Sequence, residues 1–167
     1  SDNPLTKVRA LKVDETELTY LTHDQIAMLL AELDKSPSSH ARISARLCLA
    51  TGARWSEAAT LRKNQLVNNM VTYSATKNGK NRSIPIKPEL AQLISEHAPL
   101  VDGWSTFKRA ADNAELNLPK GQLTHVLRHT FASHFMINGG NILSLQRILG
   151  HQSLTMTMRY AHLAPEH

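Results

Sequence analysis

The stretch "LTHVLRHTFASHFMI", residues 123–137, combines the apolar spacing of a buried helix with a charge placed inside it. Thr124 is a candidate N-cap for this helix, and Gly139 and Gly140 stop it soon after its last apolar residue. Arg128 falls among valine, leucine and phenylalanine, and a guanidinium there needs an anionic partner or a solvent-filled cleft. The stretch therefore predicts a core helix that carries a functional arginine.

Helical periodicity extends on both sides of this stretch. Residues 22–25, "THDQ", match a capping box, and Gly52 follows a second apolar-periodic segment that opens at Ser38 or Ser39. Ser153 is a candidate cap for the last segment. The predicted helices cover residues 21–33, 38–52, 56–61, 88–98, 105–116, 123–137, 141–150 and 153–162.

One segment changes to the period of a β-strand. In "NNMVTYSATKNGKNRSIPI", residues 68–86, β-prone residues alternate on both sides of Asn78-Gly79, a strong signal for a tight hairpin turn. Strands should flank residues 77–81, and Pro85 restricts the second strand to the edge of the sheet. The predicted fold class is mostly α with one small antiparallel β-sheet.

Composition indicates a soluble globular protein. The 167 residues carry a net charge of +5 with a pI near 9.6, a balance that favours polyanions such as nucleic acid without proving that they bind. Apolar runs are too short to span a membrane. The single cysteine, Cys48, cannot form an internal disulfide, which fits a core role and a reducing, cytoplasmic compartment. Because the chain begins with Ser and no signal segment, we expect a fragment of a longer protein.

Arg54, Glu57 and Lys77 are polar candidates whose roles the residues alone leave open. Arg54 lies at the start of a short predicted helix, where backbone N–H groups favour anions, but a plain surface arginine is equally compatible. Glu57 either pairs with a cation or decorates a helix face. Lys77 lies at the mouth of the hairpin, where lysines usually protect an edge strand.

The histidines at 125 and 129 have the i, i+4 spacing that can hold zinc on a helix. The metalloprotease pattern requires Glu beside the first histidine, and Val126 stands there instead, which disfavours the zinc interpretation. His129 and Thr130 are more simply explained as residues that meet hydrogen-bonding needs inside the domain. The sequence thus predicts no metal site and no cofactor.

Arginines, histidines, a lysine and a late tyrosine together form a set suited to a phosphodiester. Arginine forks hold non-bridging oxygens and neutralise the charge of a five-coordinate phosphorus transition state. Tyr160 would be the nucleophile, and its phenol, with a pKa near 10 in water, needs a base or cationic surroundings to react. The alternative for Tyr160 is an ordinary packed aromatic beside Met156 and Met158.

Four stretches, in order along the chain, resemble the signature motifs of the tyrosine recombinases, and specifically the catalytic domain of a temperate-phage integrase. They are "TGARWSEAATL" (51–61), "TKNGKNRSIPI" (76–86), "LTHVLRHTFASH" (123–134) and "LGHQSLTMTMRYAHL" (149–163). The start of the chain also resembles the family's interdomain junction. This implies a lead-in over residues 1–20 from an upstream core-binding domain and a catalytic domain over residues 21–167.

The resemblance implies that Tyr160 attacks the scissile phosphate, forms a 3'-phosphotyrosyl link and frees a 5'-hydroxyl. Arg54 and Arg128 would hold the phosphate oxygens. The tyrosine would be delivered on a late helix that is mobile in the family.

Further roles follow from the same resemblance. Lys77 would protonate the leaving oxygen, although Lys80 lies on the same turn and competes for the role. His125 would be the base or proton relay toward the tyrosine, and His151 would hydrogen-bond a non-bridging oxygen. Glu57 would brace the pocket from behind these residues.

By family analogy, the partners would be double-stranded DNA attachment sites, further copies of the chain in a tetramer on DNA, and a host DNA-bending protein. The reaction would need neither metal nor ATP and would occur in the bacterial nucleoid. The first competing function is a type IB topoisomerase, which reseals the same duplex. The others are a non-enzymatic DNA-binding module with residues 123–135 as its recognition helix, and a metallohydrolase.

Overall fold

The computed structural model describes residues 18–74 and 80–166. Within them the helices are α1 (His23–Asp34), α2 (His40–Thr51), α3 (Trp55–Ala59), α4 (Pro88–His97), α5 (Trp104–Asn113), α6 (Val126–Ile137), α7 (Ile142–Leu149) and α8 (Leu154–Thr157). The strands are β1 (Leu66–Val67), β2 (Met70–Tyr73) and β3 (Arg82–Pro85), and 3-10 helices cover Lys63–Gln65 and Met158–Leu163. The predicted class, mostly α with a small antiparallel sheet, is confirmed.

The sheet has the order β1-β2-β3, and both pairings are antiparallel. Val71 pairs with Ile84, so the two predicted strands pair in antiparallel orientation, and Pro85 lies on an edge strand as expected. Strand β1 was not predicted, because it is only two residues long. It pairs with β2 across Asn68 and Asn69, both of which adopt positive φ angles. The predicted Asn78-Gly79 turn and Lys77 lie outside the described residues.

Most helix termini agree with the sequence, and the disagreements lie at three N-caps and in the last segment. Thr22 forms the capping box, and Gly52 takes the left-handed conformation after α2. Thr124 does not cap α6: the turn from Gln122 to His125 places His125 at the N-cap instead. Ser39 before α2 and Ser153 before α8 are at the N-cap positions, but neither side chain makes a cap hydrogen bond. The last predicted helix, residues 153–162, is instead a short helix that ends at Thr157, followed by the 3-10 helix Met158–Leu163.

The main core is built around α2, which is buried on most of its surface and packs against α3 and α6. Cys48 is among its buried residues, which confirms the predicted core role. A smaller cluster forms where α6 and α7 meet the last 3-10 helix. Its buried members are Ala132, Met136, Leu145, Leu149 and Tyr160.

The predicted lead-in of residues 1–20 lies mostly outside the described part of the chain, and residues 18–20 form neither helix nor strand. In the described part, no helix combines the length and apolarity needed to cross a membrane.

Candidate active site

Arg128 joins the C-terminal ends of two helices. Its Nη1 donates to the carbonyl of Gly52 after α2, and its Nη2 donates to the carbonyl of Leu149 at the end of α7, both at 2.7 Å. Helix C-termini carry unpaired carbonyls and partial negative charge, so they stabilise a buried cation. Arg128 is 8% exposed and uses two of its five N–H donors in these bonds. Its guanidinium is thereby fixed with donors left for an anion.

The backbone at Gly52 makes this anchor possible. Gly52 has φ +75°, a left-handed conformation that places its carbonyl toward Arg128. A Cβ on Gly52 would lie 2.7 Å from Phe131 and 2.8 Å from Leu149. Glycine is therefore required here both for its φ angle and for the close packing of α6 and α7.

A second arginine, Arg82 on β3, braces the same corner. Its Nη1 and Nη2 donate to the two carboxylate oxygens of Glu57 at 2.9 and 2.7 Å, and its Nε donates to the carbonyl of Ile148 at 2.9 Å. The side chains of Arg82 and Glu57 are only 9% and 15% exposed. Such a bidentate pair fixes both groups. Glu57 thus pairs with a cation, one of the two alternatives that the sequence left open.

Arg54 is exposed at the N-cap of α3, and its backbone N–H donates to Glu57 at 2.9 Å. Its charge reaches the buried arginine. Burial, followed by the nearby positive charges of Arg54 and Arg82, lowers the pKa of Arg128 to about 10. Arg128 still remains protonated at neutral pH. Three guanidinium groups therefore share one region, a concentration of positive charge that favours a bound polyanion.

His151 follows the end of α7 and faces the same cations. Its Nδ1 is 2.7 Å from the hydroxyl of Thr157 on α8. Burial, followed by the charges of Arg128 and Arg54, lowers the pKa of His151 to about 4. The imidazole is therefore neutral at pH 7, with Nδ1 engaged by Thr157 and Nε2 available to an external partner.

Tyr160 is buried, with 2% of its surface exposed, and its hydroxyl lies 2.6 Å from Nδ1 of His129. Burial raises the pKa of Tyr160, while the positive charges of Arg159 and Arg128 act in the opposite direction. Tyr160 is thus within electrostatic reach of Arg128, although its hydroxyl is bonded elsewhere. Arg159 is exposed and lies over the Tyr160 ring, 5.9 Å from its centroid.

The remaining predicted residues are placed less completely. His125 is exposed at the N-cap of α6, and its ring lies 5.9 Å from the ring of His129. Lys80 is exposed and lines a groove of about 820 Å³ between β3 and α7, which Arg82 and His151 also line. Lys77 falls outside the described residues, so the choice between the two lysines stays open.

The structure therefore brings together Arg54, Glu57, Arg128 and His151, with Tyr160 beside them and His125 near His129. Sequence reasoning gave no functional role to Arg82, His129, Thr157 or Arg159. Only Arg82 carried a usable signal, its position five residues after Lys77 in the second family motif. Among residues 18–74 and 80–166, no three histidine, cysteine or carboxylate side chains form a group that could hold a metal ion.

Comparison with known proteins shows which family the chain belongs to. A sequence model of the phage integrase family matches residues 19–99 and 101–167. The chain belongs to the phage integrase family. It is 52% identical to the integrase of Escherichia phage 186 over 169 residues, a match that covers 99% of this chain and 50% of that protein. The chain spans about half the length of the curated integrases it matches.

The fold is that of the catalytic domain of the integrase from bacteriophage HP1. That structure matches with a TM-score of 0.86 at 52% identity, covering 90% of this chain and 91% of that one. The recombinase XerH, solved in a post-cleavage complex with a palindromic difH substrate, shares the fold with a TM-score of 0.69 at 22% identity. The predicted family and fold are confirmed, whereas the individual roles of the site residues stay predictions.

Proposed function

We propose that this chain is the catalytic domain of a phage integrase, a site-specific recombinase that cleaves and rejoins DNA through a phosphotyrosyl intermediate. The observation that carries the proposal is the fixed guanidinium of Arg128, anchored by two helix ends beside Arg54, His151 and Tyr160. A guanidinium held in place with unused donors stabilises charge that develops on phosphate oxygens. Tyr160 is the nucleophile that lies within reach of this charge.

The chemistry assigns one bond made and one bond broken in each step. The Tyr160 oxygen attacks phosphorus, the bond from phosphorus to the 5' oxygen breaks, and a 3'-phosphotyrosyl ester remains. Lys77 or Lys80 gives a proton to the departing 5' oxygen, and the phenolic proton leaves toward His125. A 5'-hydroxyl from a second duplex reverses these events, so the covalent ester conserves the energy of the broken bond.

Within this assignment, the residues around the phosphate have distinct tasks. Arg54 and Arg128 hold the non-bridging oxygens, and His151 donates from Nε2 because Thr157 occupies its Nδ1. Glu57 holds Arg82 and the backbone of Arg54, so it maintains the geometry of the phosphate site without touching the phosphate. No step requires a metal ion or a nucleotide cofactor.

The partner we propose is a double-stranded DNA attachment site, bound by a tetramer of the full-length protein with help from a host DNA-bending protein in the bacterial cytoplasm. The net charge of +5 and the cluster of guanidinium groups support a phosphate backbone as ligand. The XerH complex with difH supports the same class of partner. Affinity for DNA should fall steeply as salt rises, because phosphate contacts release counterions.

Covalent trapping on nicked DNA tests the proposal. The substrate is a pool of duplexes with randomised sequence on both sides of a nick, so that the short product diffuses away and the adduct accumulates. The wild-type chain should form a covalent adduct that survives denaturation, and Tyr160→Phe should form none while retaining DNA affinity. Tyr20→Phe, which changes a half-buried tyrosine next to α1, is the matched control and should trap normally. An adduct retained by Tyr160→Phe would show that another residue is the nucleophile.

A further inference from the structure

His129 and Tyr160 form a buried polar pair, and Tyr160 belongs to the smaller core cluster. Their side chains come from different parts of the chain, 31 residues apart, and meet at 2.6 Å. Both residues are buried, with 9% and 2% of their surfaces exposed. In the family-based assignment above, His129 has no task, although it is the direct hydrogen-bond partner of the reacting oxygen.

This hydrogen bond joins a neutral imidazole to an intact phenol. Burial, followed by the charges of Arg159, His125 and Arg128, lowers the pKa of His129 to about 3. Burial also raises the pKa of Tyr160. Both shifts favour a neutral imidazole and an intact phenol. With the imidazole proton on Nε2, the Tyr160 hydroxyl donates and Nδ1 of His129 accepts. A histidine with so low a pKa is a poor general base at neutral pH.

The same bond ties the hydroxyl to a side chain that is separate from the anchored guanidinium of Arg128. Arg128 and His129 are consecutive residues of α6, so their side chains leave the helix about 100° apart. The guanidinium of Arg128 extends toward Gly52 and Leu149, whereas the imidazole of His129 extends toward Tyr160. The phenolic oxygen is thus held beside the arginines by a group that takes no part in binding the phosphate.

We propose that His129 is a positioning residue that keeps the Tyr160 hydroxyl in a protonated, resting position until the tyrosine moves to the phosphate. This inference rests on the proposed function, because it assigns a resting state to the nucleophile of that reaction. Release requires the loss of one hydrogen bond and a rearrangement of the last 3-10 helix. The two carbonyl anchors of Arg128 remain intact during that movement.

The local structure around Tyr160 is compatible with such a release. The tyrosine lies in a six-residue 3-10 helix, a conformation with poorer hydrogen-bond geometry than an α-helix. Its neighbours Met156, Met158 and Arg159 are exposed, so little packing holds the segment from outside. The phenol ring and the partly buried Leu163 are its main contacts with the smaller cluster.

Acetylation of tyrosine by N-acetylimidazole measures the resting position without DNA. The variant His129→Phe keeps an aromatic ring but removes the acceptor, and it should raise the acetylation rate of Tyr160 about fivefold, the change expected for one lost hydrogen bond. The variant His129→Asn, whose amide oxygen replaces Nδ1, should restore a rate near that of the wild type. Tyr73, which is buried and bonded to Thr51, is the internal control and should stay unmodified in all variants.

Single-turnover trapping on the nicked duplex pool then tests the link to the reaction. His129→Phe should form the Tyr160 adduct about fivefold faster than the wild type. The control is His134→Phe, which changes another histidine of α6, one that is hydrogen-bonded to the carbonyl of Leu21, and it should leave the rate unchanged. An unchanged acetylation rate, or a slower adduct in His129→Phe with Tyr73 still protected, would overturn the inference. Acetylation of Tyr73 in His129→Phe would show that this variant has lost its fold, and the test then depends on His129→Asn alone. A rate of adduct formation by His129→Asn below that of the wild type would overturn the inference. Absence of any adduct in the wild type would refute the proposed function instead, while the acetylation result would stand.

Discussion

Two regions of the site differ in how the protein holds them. The arginine corner is Arg128 and Arg82 with their hydrogen-bond partners, and the tyrosine segment is the 3-10 helix Met158–Leu163 that carries Tyr160. Arg128 and Arg82 are fixed by five hydrogen bonds to carbonyls and a carboxylate that come from α2, α3 and α7. Tyr160 is held by a side-chain hydrogen bond to His129 and by the smaller core cluster. This difference is what we expect of a rigid anion receptor and a separately movable nucleophile, the roles that we propose for the two regions.

This difference has a physical basis in the proposed reaction. Electrostatic stabilisation of a transition state is most effective when the donors need no reorganisation at the moment of reaction. A nucleophile that attacks in one step and leaves in the reverse step must change position. The substitutions below test whether the two regions respond independently, from the largest expected effect to the smallest.

Substitution of Arg128 by alanine should have the largest effect. It removes the donors that we assign to the phosphate, and we expect single-turnover adduct formation to fall by about 100-fold to 1000-fold. Arg109→Ala, which changes an exposed arginine on α5, is the control and should leave the rate within about twofold of the wild type, as expected for a surface substitution. A loss under about tenfold in Arg128→Ala would show that this arginine does not contact the phosphate.

Substitution of Gly52 by alanine should damage the arginine corner through the backbone. The left-handed φ angle and the contact of the new Cβ with Phe131 and Leu149 should together lower the free energy of unfolding by about 3 kcal/mol. Gly139→Ala separates the two causes, since Gly139 also has a positive φ angle, but among the described residues no atom lies within 4 Å of the position that its Cβ would take. It should lose only about 1 kcal/mol in urea denaturation. Equal losses would show that packing against Gly52 is unimportant.

Substitution of Glu57 by glutamine should leave Arg82 without its carboxylate. We expect the free energy of unfolding to fall by about 2 kcal/mol, between the values for exposed and for fully buried ion pairs. Glu32→Gln, which removes the partner of the exposed Lys35, should cost under about 0.5 kcal/mol. Urea denaturation of both variants gives the comparison, and equal losses would contradict a bracing role for Glu57.

The same pair predicts a dependence on acid. Burial alone would raise the pKa of Glu57, but hydrogen bonds and the charge of Arg82, with the backbone N–H of Arg54, lower the pKa below its usual value. A carboxyl with a lowered pKa stabilises the fold above its unfolded pKa and loses that contribution as the pH falls through the folded value. The stability difference between the wild type and Glu57→Gln should therefore shrink in strong acid.

The smallest effect concerns His151 in mild acid. Its pKa is about 4 in the folded chain because burial and nearby arginines disfavour the imidazolium, whereas the unfolded chain has the ordinary value of 6.5. Between these values the unfolded state binds more protons, so stability falls as the pH decreases from about 6.5 toward 4. His151→Asn should show a smaller loss of Tm between pH 7 and pH 5. An unchanged loss would contradict the lowered pKa of His151.

The sequence predicted the arginine corner better than the tyrosine segment. Arg128 was identifiable because a charge among apolar residues needs a partner, and Gly52 because glycine commonly follows a helix. The partners themselves, two carbonyls 76 and 21 residues away, depend on how α2, α6 and α7 pack and leave no local pattern. The same is true of the bond between His129 and Tyr160: the sequence indicated that His129 needs a hydrogen-bond partner, but not which one.

Errors at the local level have simple causes. Thr124 has the right residue type for a cap, but a turn stabilised by Gln122 moves the start of α6 to Val126. Strand β1 is too short to show alternation, and its turn at Asn68 and Asn69 lacks the glycine that marks most tight hairpins. The predicted fold class, mostly α with a small antiparallel sheet, was correct despite both errors, because it depends on the long helical periodicities and on one hairpin.

The central claim is that the Tyr160 oxygen becomes esterified to a DNA phosphate held by Arg128 and its neighbours. Mass spectrometry of the protease-digested, nuclease-trimmed adduct measures this directly. We predict that the nucleotide is attached to the peptide containing Tyr160 through a 3'-phosphate, with a free 5'-hydroxyl on the released strand. Attachment to another residue, or through a 5'-phosphate, would contradict the account.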